Sequence, residues 1–437
     1  MTDATPRHRL EAIYRAAIDA VQPDRAVRAG LDEASLDVHA ELHLVAIGKA
    51  ARTMLASAFE WCAAKGIKPA GGVCISHASE AGRLPAGFVT VRGDHPHPRD
   101  GSAAAAALLR AYVETHIADG AQVVVLLSGG TSALIGAPVG ALQPDAYREC
   151  CEVLLRSGLD IHAHNALRRQ LSAWGDGRLA SALHAAGARA TVLAISDVPG
   201  DAPASIGSAP CIATPASDGD NEAILGAARL TDPERSALRQ SLGIAAAYPA
   251  GEFATIPHRI ISSNRIARDA VAAAAAERGL RTVQMPELLT GDAHACGITI
   301  AQQLLSYTAS ASDPVLYCWG GEPVVSIPAN APAGGRMQAL ALAAAGALQA
   351  AGARAGGITI LAAGSDGRDG TTDAAGAVID ANTWDAVCGT GGDPAALLNA
   401  YDSHSALRRA HSLIPAFASG TNVNDLVIAI VAPVLLA

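Results

Sequence analysis

Short β-branched runs alternate with alanine- and leucine-rich stretches of helical length through most of this 437-residue chain. That alternation is the pattern of parallel strands joined by crossover helices, and it predicts an α/β protein. Residues 42–47, 72–75, 122–127, 190–195 and 259–262 read as strands, and residues 50–64, 103–115, 144–156 and 265–278 as the helices that follow several of them. Half of the residues are hydrophobic but only 3% are aromatic. A core of Ala, Val, Leu and Ile suits helices packed closely on buried strands. A second group starts with 315–319 and 324–327, separated by Gly320-Gly321-Glu322-Pro323, which reads as a hairpin and makes the later sheet mixed. A helix over 336–350 and a strand over 357–363 follow. Residues 217–257 carry Pro and Gly punctuation with weak patterning, so the domain boundary is expected near their end. The chain then divides into a parallel-sheet domain, 1–255, and a second α/β domain with a mixed sheet, 256–437, a division its length suits.

Charge and composition exclude several classes of function. The net charge is −9 and no Lys/Arg run exceeds two residues, so the basic footprint of a nucleic-acid binder is absent. No apolar run reaches the roughly 18 residues of a membrane span; the strongest candidate, 426–437, reads as a buried strand or helix. The polar start MTDATPRHRL lacks the apolar centre of a signal peptide, and a cytoplasmic enzyme is expected. Eight cysteines are scattered without CxxC spacing, which favours packed thiols over a zinc site or a disulfide frame.

Five loops carry the candidate chemistry. Gly48-Lys49-Ala50 closes the first strand and opens a helix, a position where a lysine can meet an anion beside free helix N–H groups. It is not a Walker A loop, because Ala50 follows the lysine. Ser128-Gly129-Gly130-Thr131-Ser132 follows the most apolar strand; its paired glycines and hydroxyls suit a phosphate or carboxylate cradle, with a plain tight turn as the alternative. Ser196-Asp197-Val198-Pro199-Gly200-Asp201 is a third loop after an apolar strand, and the switch-point rule brings such loops to one crevice. Gly334-Gly335-Arg336 opens a long helix, where Arg336 could reach a phosphoryl oxygen. Gly364 to Asp373, GSDGRDGTTD, puts Asp366, Asp369 and Asp373 on glycine-loosened backbone, which suits Mg²⁺ bound to phosphate; a solvated turn or a calcium loop remains open. The HxH of Gly93-Asp94-His95-Pro96-His97-Pro98 reads as a positioned turn, and His162 and His164 are weaker still as metal ligands.

Taken in order, these blocks resemble the glycerate 2-kinases of the MOFRL family from about Leu44 to Asp425: GKA at 48–50, HPxP at 95–98, SGGxSAL at 128–134, SDVPGD at 196–201, GGE at 320–322, GGR at 334–336, DGxDGxTDAAGA at 366–377 and GTNVND at 420–425. The resemblance implies a Rossmann-like N-terminal domain and a MOFRL-type C-terminal domain around a cleft that holds the active site. It implies transfer of the γ-phosphoryl of ATP to the 2-hydroxyl of D-glycerate with Mg²⁺ or another divalent cation, with no nucleic-acid or membrane partner, and a homodimer is among the expectations. The family's essential lysine and arginine match Lys49 and Arg336. Ser128, Gly129, Gly130, Ser132, Gly334, Gly335, Asn422 and Asn424 match positions expected to bind the nucleotide, and Asp366 and Asp369 those expected to hold the metal. Asp197 is the candidate for accepting the hydroxyl proton or orienting the acceptor, with a helix N-cap as its structural alternative. The chain departs from the family pattern at Gly175 and Asp176 (IKGGRLA), Ala209 (SGPT), Ala339 (NQE) and Phe417 (GPT), which bears on the acceptor. A hydroxypyruvate-reductase-type oxidoreductase and a non-catalytic sugar-acid-binding protein are the rival readings. No GxGxxG with an acid about 20 residues on follows any strand.

Overall fold

The computed structural model describes residues 5–37, 39–77, 85–213, 218–308, 312–328 and 331–433. The outermost parts of the polar N-terminus and of the 426–437 run lie outside them. Two compact units result: residues 23–261, and residues 1–22 together with 262–437. No helix among the described residues is long and apolar enough to cross a membrane.

The 23–261 unit is built on β1 (Leu42–Ile47), β2 (Gly71–Ser76), β3 (Phe88–Arg92), β4 (Gln122–Leu127), β5 (Arg189–Ile195) and β6 (His258–Ser262) in the order β3-β2-β1-β4-β5-β6. The pairs β1/β2, β1/β4, β2/β3 and β4/β5 are parallel. This is the doubly wound order, and its switch point lies between β1 and β4. Strand alternation sends Val45, Ile47, Val73, Ile75, Val123 and Val125 toward a core shared with the helices Asp100–His116 and Arg178–Ala185. The opposite sheet face carries the helix Ala51–Ala64. Residues 217–257, expected to be irregular, instead contain the helices Asp218–Ala227 and Asp232–Ala246. The second is started by a capping box, Thr231 with Glu234, and its Leu238 and Leu242 join Tyr147, Leu154 and Leu167 in a separate helical core.

The other unit is built on β7 (Arg281–Gln284), β8 (Val315–Gly321), β9 (Ile358–Gly364), β10 (Ala374–Asp380), β11 (Leu413–Pro415) and β12 (Asp425–Val431), in the order β11-β10-β9-β12-β8-β7. Only β7/β8 is parallel among these pairs, so the sheet is mixed. One face packs against the helices Ala293–Thr308 and Arg336–Ala351; the helices Pro6–Ala20 and Asn264–Ala276 also pack on the strands. The expected hairpin at 320–323 is not formed. Gly320 and Gly321 lie inside β8, and Val324 makes only an isolated bridge to Asp292. A Cβ at Gly320 would stand 1.7 Å from Asn264 Oδ1, so that glycine serves a close approach and not a turn. Seven of the eight cysteines are at least partly buried, Cys388 is exposed, and all are free.

Candidate active site

In the 23–261 unit the loops after β1, β4 and β5 meet at the carboxyl edge of the sheet. Gly48 has φ +136°, and a Cβ there would lie 2.0 Å from Ser128 Oγ; only glycine lets the two strand ends approach so closely. The amide of Lys49 donates to Gly129 O at 2.9 Å, and that of Ala50 to Ser128 Oγ at 3.0 Å. Thr131 Oγ1 lies 3.0 Å from Ile47 O and 2.8 Å from Ser128 O, tying the same two loops from beneath. Asp197 folds over Gly129, where an added Cβ would be 2.1 Å from its Oδ2. Asp197 does not cap the 3₁₀ turn Pro199–Asp201, whose N-cap residue is Val198. Ser132 Oγ accepts from Ser208 Oγ at 2.8 Å. Lys49, Ser128, Gly129, Gly130, Ser132 and Asp197 therefore belong to one loop cluster.

In the second unit the acidic loop joins β9 to β10 and lies against the start of the helix Arg336–Ala351. Asp369 is 3% exposed. Its Oδ1 accepts from the Met337 amide at 3.1 Å, and its Oδ2 from the Gln338 amide at 2.7 Å and from Gln338 Nε2 at 3.0 Å. Burial raises its pKa, while these donors and Arg336 pull the other way. Both of its oxygens thus satisfy N–H groups that open the helix. Gly335 makes room for it, because a Cβ there would be 2.1 Å from Asp369 Cγ, and the carbonyl of Gly334 lies as close to a Cβ on Gly370. Asp366, by contrast, is exposed, and its Oδ1 accepts from the Arg368 amide at 3.1 Å.

Arg336 pairs with Asp425 through two contacts, Nε to Oδ2 at 2.5 Å and Nη2 to Oδ1 at 3.2 Å, and Nη2 is also 3.3 Å from Glu322 Oε1. Asp425 is 2% exposed, and burial pushes its carboxyl up to about 7 against the pull of Arg336. Burial works to lower the arginine's pKa, but the carboxylates of Asp425 and Glu322 outweigh it and hold the guanidinium charged. The loop before β12 is fixed by short bonds: the Val423 amide to Ser365 Oγ at 2.7 Å, and the Asn424 amide to Asn422 Oδ1 at 3.2 Å. Asn424 itself is buried at φ +67°, and Asn264 Nδ2 donates to the carbonyls of Val423 and Asp425 at 3.0 Å each. Tyr14 OH donates to Gly364 O at 2.6 Å, at the point where β9 ends. Asp366 Oδ1 and Asp425 Oδ1 lie 2.9 and 3.4 Å from where a Cβ on Gly364 would be. Gly334, Gly335, Arg336, Asp366, Asp369, Asn422 and Asn424 so share a second cluster.

Sequence reasoning missed Asp425, Glu322 and Tyr14. The first two were within sight, as the last residues of GTNVND and GGE, but nothing local marks them as partners of Arg336. Among the described residues no group of three or more His, Cys, Asp or Glu side chains is placed to hold a metal. Of the positions that depart from the family pattern, Asp176 lies 3.7 Å from Arg169 at φ +53°, Ala209 and Ala339 are buried, and the Phe417 ring lies under the Arg15 guanidinium at 4.0 Å.

A family model described as a domain of unknown function, DUF4147, matches residues 9–243, and that of the MOFRL family matches residues 315–425. A protein of Agrobacterium vitis named "Putative hydroxypyruvate reductase" is 34% identical over 97% of this chain and 94% of its own length. The D-glycerate 2-kinase of Thermotoga maritima is 30% identical over 96% of this chain and 97% of its own. The crystal structure of glycerate kinase from Thermotoga maritima superposes with a TM-score of 0.83 at 29% identity, covering 97% of this chain and 99% of that one.

Proposed function

The chain belongs to the glycerate kinase family that carries the MOFRL domain, and from that premise we propose that it transfers the γ-phosphoryl group of ATP to the 2-hydroxyl of D-glycerate or a closely related hydroxy acid. The observation that carries the reading is Arg336, held in a fixed plane by Asp425 and Glu322 at the first turn of a helix and beside an exposed aspartate. Phosphoryl transfer asks a protein mainly for positioning and charge neutralisation.

The roles follow from chemistry and place. Arg336 neutralises charge that builds on the transferred group's oxygens, and Lys49 meets an anionic group of the substrates at its own loop cluster. Gly334 and Gly335, with Asn422 and Asn424, shape the backbone around Arg336 for the nucleotide. Ser128, Gly129, Gly130 and Ser132 offer a narrow polar turn to an anionic group beside Lys49. Asp197, laid over Gly129, takes or orients the acceptor's hydroxyl proton.

A divalent cation fits the acidic loop, since Mg²⁺ needs one or two carboxylates when phosphates complete its shell. Asp366 has the exposed carboxylate for it, with Asp369 fixing the loop against the helix; when bound, the ion neutralises phosphate oxygens of ATP. The test is ADP release with D-glycerate as acceptor, coupled to enolase, which consumes 2-phosphoglycerate and not the 3-phospho isomer. Turnover of hydroxypyruvate with NADH in place of ADP release would favour the reductase reading instead.

A further inference from the structure

The GDHPHP loop has no part in the roles above, yet it brings His95 against the switch-point turn. A methyl on Gly130 would stand 3.1 Å from Cδ2 and 3.4 Å from Nε2 of His95, and 3.2 Å from Cγ of Lys49. Gly130, at φ +88°, is thus the floor on which an imidazole and a lysine stem both rest. His95 is only partly covered and so stays open to a ligand. Its neighbour Asp197 covers the adjacent Gly129.

The charges around His95 decide what it can do there. Partial burial and then the charges of Lys49, His77, Arg168 and His97 lower its pKa to about 4. At neutral pH it is therefore a neutral imidazole, able to accept one hydrogen bond from a hydroxyl and donate another. The stem of Lys49 runs beside it on Gly130, and the lysine's ammonium suits the carboxylate of the same small ligand.

We propose that His95 is a further catalytic residue, which binds the hydroxyl on the carbon next to the acceptor's carboxylate, while Lys49 takes the carboxylate itself. The ligand class this selects is a small 2-hydroxy acid, in which the two groups share one carbon. The inference rests on the hydroxy-acid kinase reading and adds to it the side chains that recognise the acceptor.

The experiment compares D-glycerate with 3-hydroxypropanoate, which keeps the carboxylate and the terminal hydroxyl but lacks the 2-hydroxyl. Binding of each is measured by calorimetry, without ATP, to the wild-type protein, His95→Ala and His95→Gln. Loss of a hydrogen bond to a substrate hydroxyl is expected to weaken D-glycerate by about 10- to 100-fold in His95→Ala, with partial recovery in His95→Gln and no change for 3-hydroxypropanoate. Equal losses of the two acids in His95→Ala, no loss of either, or failure of the wild type to bind D-glycerate would each overturn the assignment. Absence of ADP release with intact hydroxy-acid binding would count against the kinase reading alone, so the two failures are told apart.

Discussion

Asp425→Asn separates the two things the Arg336–Asp425 pair does. The ordinary carboxyl pKa of 3.8 is raised to about 7 in the folded chain, so between those values the native state binds the proton more tightly than the unfolded one. Stability contributed by this group is therefore greatest at low pH and falls as pH rises through the window from 3.8 to about 7. Asparagine cannot ionise, so the variant should lack this decline: relative to wild type, its melting temperature should gain between pH 5 and pH 8, whatever the uniform cost of leaving Arg336 without its carboxylate. Function should move the other way. The amide replaces one of two acceptor oxygens by a donor facing Nε or Nη2, and loss of one charge-assisted hydrogen bond is worth about 1.5–3 kcal/mol, or about 10- to 100-fold in kcat if the guanidinium plane must be fixed in the transition state. Thermal melts at the two pH values and steady-state kinetics of the same preparations check both halves. A variant whose melting temperature changes with pH as the wild type's does and that turns over at the wild-type rate would refute the argument, since the carboxylate would then be a plain stabiliser.

Three further substitutions test other parts of the two clusters. Gly129→Ala places a methyl 2.1 Å from Asp197 Oδ2, so kcat should fall at least about tenfold, while overpacking costs only about 1–3 kcal/mol of stability by denaturant titration. Asp366→Asn should raise the Mg²⁺ concentration needed for half-maximal activity by about tenfold or more with the melting temperature unchanged, because the side chain is exposed; an unchanged metal dependence would remove Asp366 from the metal site. Tyr14→Phe deletes the 2.6 Å bond to the carbonyl that ends β9 and should cost about 1–3 kcal/mol in denaturant unfolding.

The central strands were legible because buried parallel strands are continuous apolar runs: β1 and β4 begin and end where the pattern does. The strands that escaped notice lack that mark. β7 is four residues, RTVQ; β11 is three; and β10, AAGAVID, opens on small residues with Gly376 at a register shift. Gly320 and Gly321 were misread because sequence does not tell a glycine kept for a turn from one kept for close packing, and Asn264 and Leu289 supply that packing from elsewhere in the chain. The weakly patterned stretch 232–246 hid a helix whose start signal, Thr231 followed by Glu234, is present in the sequence.

The loops of the site were readable one by one, since Lys49, Ser128 and Arg336 sit directly at element ends. What holds them was not. The pairing of Arg336 with Asp425 spans 89 positions and that of Tyr14 with Gly364 spans 350, and no local periodicity encodes either. The helix Pro6–Ala20 joins the unit of residues 262–437 through such contacts alone.

The central claim is phosphoryl transfer from ATP to a small hydroxy acid, and identification of the phosphorylated product is its most direct test. Purified protein incubated with ATP, Mg²⁺ and D-glycerate should give ADP and 2-phosphoglycerate in equal amounts, seen by ³¹P NMR and by enolase coupling, and Arg336→Ala should abolish both signals. ADP formed without any phosphorylated acid across a panel of small hydroxy acids, or no ADP at all, would contradict the account.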